Sequence, residues 1–175
     1  MGTYYTMNQG QSFKEFVADE LSTCEDVITY SIVSGCAYIL YGKKSRLKGI
    51  EVWKLTRHDG CPGYKPMSEE MGPYYHDCPK RILDAADPTT NETANEWRAA
   101  CHAKRERKNL ARRIKPGDII ETESGAVYTA TLYWTDQRKS PKLAYRRHTD
   151  GRLYRLPRLA NAPFWIVEQA NQPTR

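Results

Sequence analysis

The stretch from Val27 to Leu55 constrains the fold more than any other part of the sequence. It contains two runs rich in β-branched and aromatic residues, VITYSIV and CAYILY, separated by Ser34-Gly35. A Ser-Gly pair between two such runs predicts a β-hairpin, because glycine tolerates the positive φ of a tight turn. The residues from Gly49 onwards then alternate between apolar and polar side chains. These three runs predict a three-stranded antiparallel meander.

A short helix is predicted before this sheet. Ser12 and Glu15 have the spacing of a capping box, in which each side chain accepts a hydrogen bond from a backbone amide of the first turn. Apolar residues then recur three and four positions apart, which places them on one side of a helix. We therefore expect a helix from about Phe13 to Ser22 that covers one face of the meander.

The segment from Tyr64 to Pro79 follows the predicted sheet. It contains three prolines together with several carboxylates and aromatic residues, so it is interpreted as a long structured loop. Pro79 is suited to the first turn of a short helix, with Asp77 or Cys78 as the cap. The loop is therefore expected to lead directly into a helix.

A long basic helix is predicted next. The sequence Thr93-Ala94-Asn95-Glu96 has the form of a second capping box, which predicts a helix from about Ala94 to Arg113. Its middle, from His102 to Asn109, is nearly all polar and is expected to lie in solvent. The middle of the chain is therefore expected to be helical.

Pro116-Gly117 is the clearest internal break. About five short runs of strand-forming residues follow it, a spacing that predicts a small, strongly bent β-barrel of the SH3-like kind. The predicted fold class is therefore α+β, in three parts: an α+β domain with the basic helix over residues 1–115, a barrel-like module over 116–170, and a disordered tail over 171–175.

Charge is distributed unevenly along the chain. Residues 1–97 carry 10 Lys/Arg and 14 Asp/Glu, a net charge of −4, whereas residues 98–175 carry 17 and 7, a net charge of +10. This asymmetry predicts a polyanionic partner or an acidic protein partner for the C-terminal half. The residues predicted to contact phosphates are Lys104, Arg105, Arg107, Lys108, Arg112 and Arg113 on the helix, with Arg146, Arg147, Arg152 and Arg155 in support.

Aromatic residues are interleaved with the cations of the C-terminal module. They are Tyr133, Trp134, Tyr145 and Tyr154. Binders of single-stranded or structured RNA use aromatic rings beside cations to stack bases. The alternative is that these rings form the core of the barrel and the cations its polar rim.

Two other kinds of site are weaker alternatives. Glu69, Glu70 and His76 are candidate general acid–base groups. Four residues are candidate zinc ligands, although none of their spacings is typical of zinc sites: His76, Cys78, Cys101 and His102. For the two cysteines, burial in the core is the alternative. We predict no metal, no cofactor and no catalytic residue.

The cysteine content and hydropathy predict the cellular setting. The five cysteines are irregularly spaced, and the N-terminus lacks the pattern of an export signal. The longest apolar run, Cys36 to Tyr41, is too short to span a bilayer. We therefore expect reduced thiols, a cytoplasmic location and no membrane association.

Three motifs resemble an uncharacterised family of domains encoded by bacterial phages, plasmids and conjugative elements. They are Tyr64-Lys65-x-Met67-x-Glu69-x-Met71-Gly72-Pro73, Asp77-Cys78-Pro79-x2-Ile82-Leu83, and Trp97-Arg98-x2-Cys101. The resemblance implies a mobile-element origin, not a mechanism. Its spacing also suggests that Glu69 or Glu70 pairs with Arg98 to hold the basic helix.

These observations lead to three functional hypotheses. The first is a non-enzymatic phage or mobile-element protein that binds DNA or RNA through the basic helix and the basic β-module, in the cytoplasm of a bacterial host. The second is an inhibitor that binds a host or anti-phage defence protein through the same basic surface. The third is a zinc-dependent or general acid–base enzyme that uses residues 64–79.

Overall fold

A computed structural model of the chain describes residues 4–8, 10–58, 61–133, 142–154 and 162–169. The chain divides into two units, Met1–His102 and Ala103–Arg175. This division falls within the long helix, whereas the sequence predicts a boundary before Pro116. Each unit contains one five-stranded antiparallel sheet. Among the described residues, no helix has the length and apolar character needed to cross a membrane.

The N-terminal unit has five strands: the three predicted strands form an antiparallel meander, but the prediction that the sheet has only three strands is wrong. In chain order the five strands are β1 (Tyr5–Thr6), β2 (Val27–Val33), β3 (Cys36–Tyr41), β4 (Gly49–His58) and β5 (Cys61–Ser68). Their spatial order is β1-β5-β4-β3-β2. The connection from β2 to β3 is the predicted hairpin: Ser34 and Gly35 have φ values of 52° and 70°, as a type I′ turn requires.

Strand β5 occupies residues that the sequence predicts as loop. Pro62 and Pro66 lie within it, and proline in a sheet is normally confined to an edge. Within the described residues, strand β1 pairs with β5 at Gly63 and Tyr64, and the Met7 amide donates to the Pro62 carbonyl at 3.0 Å, so the rest of β5, including Pro66, is an edge on that side. On its other side, β5 pairs with β4 along its whole length. This long-range pairing overrides the local signal of the prolines.

Helix α1 (Phe13–Ser22) covers one face of the N-terminal sheet. The predicted capping box is present: the Glu15 amide donates to the Ser12 hydroxyl at 3.3 Å, and the Ser12 amide donates to the Glu15 carboxylate at 2.9 Å. Buried side chains of the helix pack with Ala37 and Ile39 of β3. The span and the cap of this helix agree with the prediction.

Helices α2 (Lys80–Ala85) and α3 (Glu92–Arg113) supply the buried residues of the opposite face. Ile82, Trp97 and Cys101 belong to the same buried cluster as alternate residues of β3. With both faces covered, all six residues of β3 are buried. The N-terminal unit is therefore a sheet between two helical layers.

The predicted caps of α2 and α3 are wrong. Pro79 is itself the extended N-cap residue of α2, and it makes no side-chain capping hydrogen bond. The Asn91 Oδ1 atom accepts from the Ala94 amide at 2.9 Å, so α3 begins at Glu92, before the predicted capping box. Asn is a stronger N-cap residue than the Thr93 that the prediction chose.

The C-terminal sheet is open, so the predicted SH3-like barrel is wrong. Its strands are β6 (Ile119–Thr122), β7 (Val127–Tyr133), β8 (Lys142–Arg147), β9 (Leu153–Tyr154) and β10 (Phe164–Glu168). Their order is β10-β6-β7-β8-β9, and within the described residues the edge strands β10 and β9 do not pair with each other. Closure of a barrel requires such pairing between edges, which strand-forming propensity does not encode.

One face of the C-terminal sheet is buried. Ile120, Tyr145 and Phe164 form its core with Ile114, and the last turns of α3 contribute Leu110. We call this the core face. The C-terminal part of α3 therefore belongs to the core face of the sheet.

Candidate functional site

The basic segment of α3 is less exposed than the sequence predicts. Lys104, Arg105, Arg107 and Lys108 are half-buried, and each interacts with other groups of the chain. They are therefore less exposed than predicted for the middle of the helix, where His102, Glu106 and Asn109 are exposed. The two arginines of the last turn, Arg112 and Arg113, are exposed, where positive charge interacts favourably with the helix dipole.

The predicted arginines of the C-terminal sheet cluster at the turn between β8 and β9. The Arg147 guanidinium donates to both carboxylate oxygens of Asp150 and lies 4.8 Å from the ring centre of Tyr154. This ion pair holds the pKa of Asp150 well below its usual range. The charge of Arg147 is therefore paired within the turn.

The other two described arginines of this group remain accessible. The Arg146 side chain donates to the Gly151 carbonyl at 3.0 Å but is exposed, and the Arg152 side chain is exposed. Arg155 lies outside the described residues. Arg146 and Arg152 therefore fit the prediction of a surface contact better than Arg147 does.

The strand register defines the face opposite the core face. Arg146 lies across from Thr129 on one side and Leu153 on the other, and Trp165 lies across from Glu121. Side chains directly opposite each other share a face, as do residues two apart on one strand. The exposed residues that share this outer face include Lys142, Arg146, Leu153, Trp165 and Glu168.

Trp165 is an exposed aromatic residue that the sequence analysis missed. Its side chain is 53% exposed. Of the predicted stacking residues, Tyr145 is buried in the core, Tyr154 is half-buried against Arg147, and Trp134 lies outside the described residues. The sequence contains no signal for Trp165, because FWIVE begins with four consecutive apolar residues; the pairing of β10 with β6 directs Phe164 to the core face and its neighbour outwards.

Glu69 and Arg98 form the predicted ion pair. Glu69 lies in a 3-10 turn (Glu69–Met71) after β5 and is 2% exposed. Its Oε2 accepts from Arg98 Nε at 2.6 Å and its Oε1 from Arg98 Nη2 at 2.7 Å, while Oε1 also accepts from the Ile50 amide at 3.0 Å. The hydrogen bonds that Arg98 donates to Glu69 raise the pKa of Arg98. The pair connects β4, the 3-10 turn and α3.

Gly49 makes room for this ion pair. Its φ is +76°, and a Cβ atom at this position would overlap with Oε1 of Glu69. Any larger residue would therefore strain the backbone and displace the carboxylate. The Arg98 Nη1 atom also donates to the Asp87 carbonyl at 2.7 Å, which orients the guanidinium from a second side.

An open cavity of about 460 Å³ lies beside the ion pair. Its charged lining comprises Lys43, Lys48, Arg98, Glu69, Glu70 and Asp87. Three cations and three carboxylates balance, so the lining has no strong preference for a ligand of either charge. Both oxygens of Glu69 already accept hydrogen bonds, which suits a structural role better than that of a proton acceptor.

The other candidate catalytic and metal-binding residues do not form a common site. Glu70 is exposed at the cavity, whereas His76 does not line it. Cys78 and Cys101 are buried in the core of the N-terminal unit, and His102 is exposed. No three His, Cys, Asp or Glu side chains in the described part of the chain lie close enough together to hold a metal ion.

Glu51 is a titratable residue that the sequence analysis did not single out. It lies on β4, half-buried, and accepts from the Trp53 indole Nε1 at 2.7 Å. Burial raises its pKa, and the indole hydrogen bond opposes that shift. The sheet therefore carries a carboxyl group whose charged form is poorly solvated.

Comparison with known proteins identifies a similar domain but no activity. Residues 88–159 match the family described as "Domain of unknown function (DUF6927)". This range includes α3 and strands β6 to β9, and of the three motifs noted in the sequence it contains only Trp97-Arg98-x2-Cys101. The match is consistent with an uncharacterised family. No curated protein and no solved structure matches the chain.

Proposed function

We propose that the protein is a non-enzymatic nucleic-acid-binding protein that holds a single strand on the outer face of its C-terminal sheet. The observation that carries this proposal is the exposure of Lys142, Arg146 and Trp165 on one face. Proteins that bind single-stranded nucleic acid combine two kinds of contact: cationic side chains bind the phosphates along the strand, and aromatic rings stack on the bases.

The charge of the C-terminal unit supports this function. Residues 103–175 carry 16 Lys/Arg and 7 Asp/Glu, a net charge of +9, whereas residues 1–102 carry 11 and 14, a net charge of −3. A polyanion is attracted to such a unit from a distance, and its binding weakens as salt rises. The charge therefore favours a polyphosphate over an uncharged ligand.

The spacing on the outer face suits a strand of nucleic acid. Trp165 on β10 and Arg146 on β8 are separated by three strand spacings, about 14 Å. A base stacked on the indole then leaves the phosphate backbone to continue towards Arg146 and Lys142. Arg112 and Arg113 belong to the helix on the core face, so they form a second cationic surface and not an extension of the first.

The origin and location of the protein belong to the same proposal. The resemblance to domains of phages, plasmids and conjugative elements suggests a mobile-element protein that works in the cytoplasm of a bacterial host. Single-stranded DNA and RNA are both compatible with stacking on Trp165, because every base has a π-face.

A salt titration of binding to a labelled single-stranded oligonucleotide tests the proposal. The variant Lys142→Glu/Arg146→Glu/Arg152→Glu reverses two cations of the outer face and the exposed Arg152 of the adjoining β8–β9 turn, and it is expected to bind weakly. The loss of three phosphate contacts should also reduce the slope of log Kobs against log[salt] by about 2. Native protein that shows no saturable binding at low salt would contradict the proposal.

Two further variants separate a local site from general attraction. Lys14→Glu/Lys44→Glu/Lys65→Glu makes the same change in net charge at exposed lysines of the N-terminal unit, and it is expected to retain most of the affinity. Trp165→Ala is expected to cost about 1–3 kcal/mol of binding free energy without changing the salt slope. Equal losses in both triple variants would show that no specific face is used.

A second candidate function is inhibition of a host or anti-phage defence protein with an acidic surface. The observation that favours it is the exposure of Leu153 and Trp165 beside the cations, since Trp and Arg are enriched in protein interfaces. A pull-down from nuclease-treated lysate distinguishes the two functions. One acidic protein that is retained by the native chain and lost with the Lys142/Arg146/Arg152 reversal would favour the inhibitor.

A further inference from the structure

Strand β2 is a long edge of the N-terminal sheet. Within the described residues it pairs only with β3. The other edge strands are shorter: β1 and β9 have two residues each, and β10 has five with a bulge, whereas the irregularity in β2 lies near its start, between Val27 and Thr29. Strand β2 has seven residues, VITYSIV, with no charge and no proline. A long uncharged edge is a template for pairing with another strand, which most proteins block with charges or breaks.

The hairpin determines which backbone groups of β2 face outwards. In a two-residue hairpin, the residues that flank the turn, here Val33 and Cys36, form a hydrogen-bonded pair, and alternate residues point the other way. Tyr30 and Ile32 therefore direct their N–H and C=O groups away from β3. In agreement, Arg81 Nη2 donates to the Tyr30 carbonyl at 2.7 Å.

The sequence of β2 reads nearly the same in both directions about Tyr30. Two copies placed antiparallel about a two-fold axis at this residue pair Thr29 with Ser31 and Ile28 with Ile32. An irregularity in register between Val27 and Thr29 turns Val27 to the face opposite that of Val33, so the two end residues do not extend the match. Matched β-branched pairs and Thr–Ser pairs are favourable cross-strand neighbours, and the two β2 strands themselves carry no charged side chain. Tyr30 then faces Tyr30 of the second copy, and the outward N–H and C=O groups of the two residues bond to each other.

We propose that the protein forms a two-fold symmetric dimer through β2, which joins two five-stranded sheets into one of ten strands. We infer that a second copy of the chain occupies this edge. A strand needs to match its own reversed sequence about one residue only when it pairs antiparallel with an identical strand across a two-fold axis. A seven-residue edge buries less area than a standard interface of about 1,600 Å², so the dissociation constant is expected in the micromolar range.

The surroundings of β2 accommodate a second strand. A cavity of about 480 Å³ lies along its first half, lined by Ala18 and Leu21 of α1 and by Arg81. Ile28 is 57% exposed at this edge. A carbonyl oxygen has two lone pairs, so that of Tyr30 can accept from Arg81 and from the partner amide together.

A charge exchange at two positions tests the dimer and its register. Thr29→Lys/Ser31→Lys makes two like-charge pairs across the two-fold axis, whereas Thr29→Lys/Ser31→Glu makes two opposite-charge pairs at the same positions. Sedimentation of nuclease-treated protein should show native chains approaching twice the mass of 20.2 kDa as concentration rises. The Lys/Lys variant should raise the dissociation constant at least about tenfold, and the Lys/Glu variant should stay within about threefold of native.

A measurement on the native chain makes the test independent of substitutions. Amide hydrogen exchange at Tyr30 and Ile32 is expected to slow as protein concentration rises, because pairing protects these outward N–H groups. A native protein that remains monomeric up to about 300 µM overturns the proposal. So does concentration-independent exchange at both amides, or an equal effect of the Lys/Lys and Lys/Glu variants on the dissociation constant.

Discussion

Removing either charge of the Glu69–Arg98 ion pair leaves the other charge buried. The two side chains are 3% and 14% exposed, and an uncompensated charge in such a place typically costs about 3–5 kcal/mol. We expect Glu69→Gln and Arg98→Met each to lower the free energy of unfolding by about 3 kcal/mol. Urea denaturation monitored by tryptophan fluorescence measures this loss.

The double variant Glu69→Gln/Arg98→Met is the informative comparison. It contains no unpaired charge, and the glutamine oxygen can still accept from the Ile50 amide, so its cost should be well below the sum of the two single costs. Glu70→Gln is the matched control at an exposed neighbour and should stay within about 0.5 kcal/mol of native. Additive costs would contradict the assigned pairing.

The half-buried Glu51 carboxyl makes stability depend on pH. Its pKa is raised by burial in the folded state, so the folded state binds the proton more tightly than the unfolded state. This group therefore stabilises the fold at low pH, and that contribution is lost as pH rises through its raised pKa. Glu51→Gln should raise Tm at pH 7 by about 2 °C, with the gain vanishing below about pH 4.

The amide introduced by Glu51→Gln keeps an acceptor for the Trp53 indole, so the comparison isolates the charge. Glu25→Gln, at an exposed position, should leave Tm within error at both pH values. Differential scanning calorimetry at pH 4 and pH 7 gives the result. A lower Tm for Glu51→Gln at pH 7 would show that the carboxylate charge is stabilising.

The start of α3 provides a test at the scale of secondary structure. The Asn91 side chain accepts from the Ala94 amide, so Asn91→Ala should cost about 1 kcal/mol of unfolding free energy. Thr93→Ala, at an exposed residue inside the first turn, should change stability by less than about 0.5 kcal/mol. A larger loss of unfolding free energy for Thr93→Ala than for Asn91→Ala, measured by urea denaturation, would identify Thr93 as the cap.

Elements with local signals were predictable from sequence. The Ser34-Gly35 turn and the Ser12 capping box each involve residues at most three positions apart. Strand β5 was missed because Pro62 and Pro66 oppose it locally, and its pairing with β4 is a property of the folded sheet. The open form of the C-terminal sheet was missed for the same reason, because the sequence of a single strand does not determine whether the two edge strands of a sheet pair with each other.

The candidate sites also include features that were predictable from local sequence and features that depend on the folded structure. The pairing of Glu69 with Arg98 could be inferred from motif spacing. The exposure of individual cations could not, because it depends on what lies nearby after folding: Asp150 binds Arg147, while Lys142 remains exposed. Trp165 became visible as a surface residue only when the register of β10 against β6 was known.

At the scale of the whole molecule, the main question is whether the positive charge acts as a diffuse field or as a local site. The C-terminal unit presents exposed cations on its outer face, at Lys142 and Arg146, and on the helix of its core face, at Arg112 and Arg113. A diffuse field depends on net charge alone. A local site depends on which face carries the charge.

Two double reversals with equal changes in net charge separate these cases. Lys142→Glu/Arg146→Glu should weaken oligonucleotide binding strongly at 0.15 M salt, where the screening length is about 8 Å, and Arg112→Glu/Arg113→Glu should weaken it little. At about 0.01 M salt the screening length grows to about 30 Å, so both faces contribute and the two variants should converge. Equal losses at the higher salt, measured by fluorescence anisotropy, would assign binding to the field of the whole unit. A difference in affinity between the two variants that becomes smaller as salt falls is the behaviour expected of a site on one face of a uniformly basic unit.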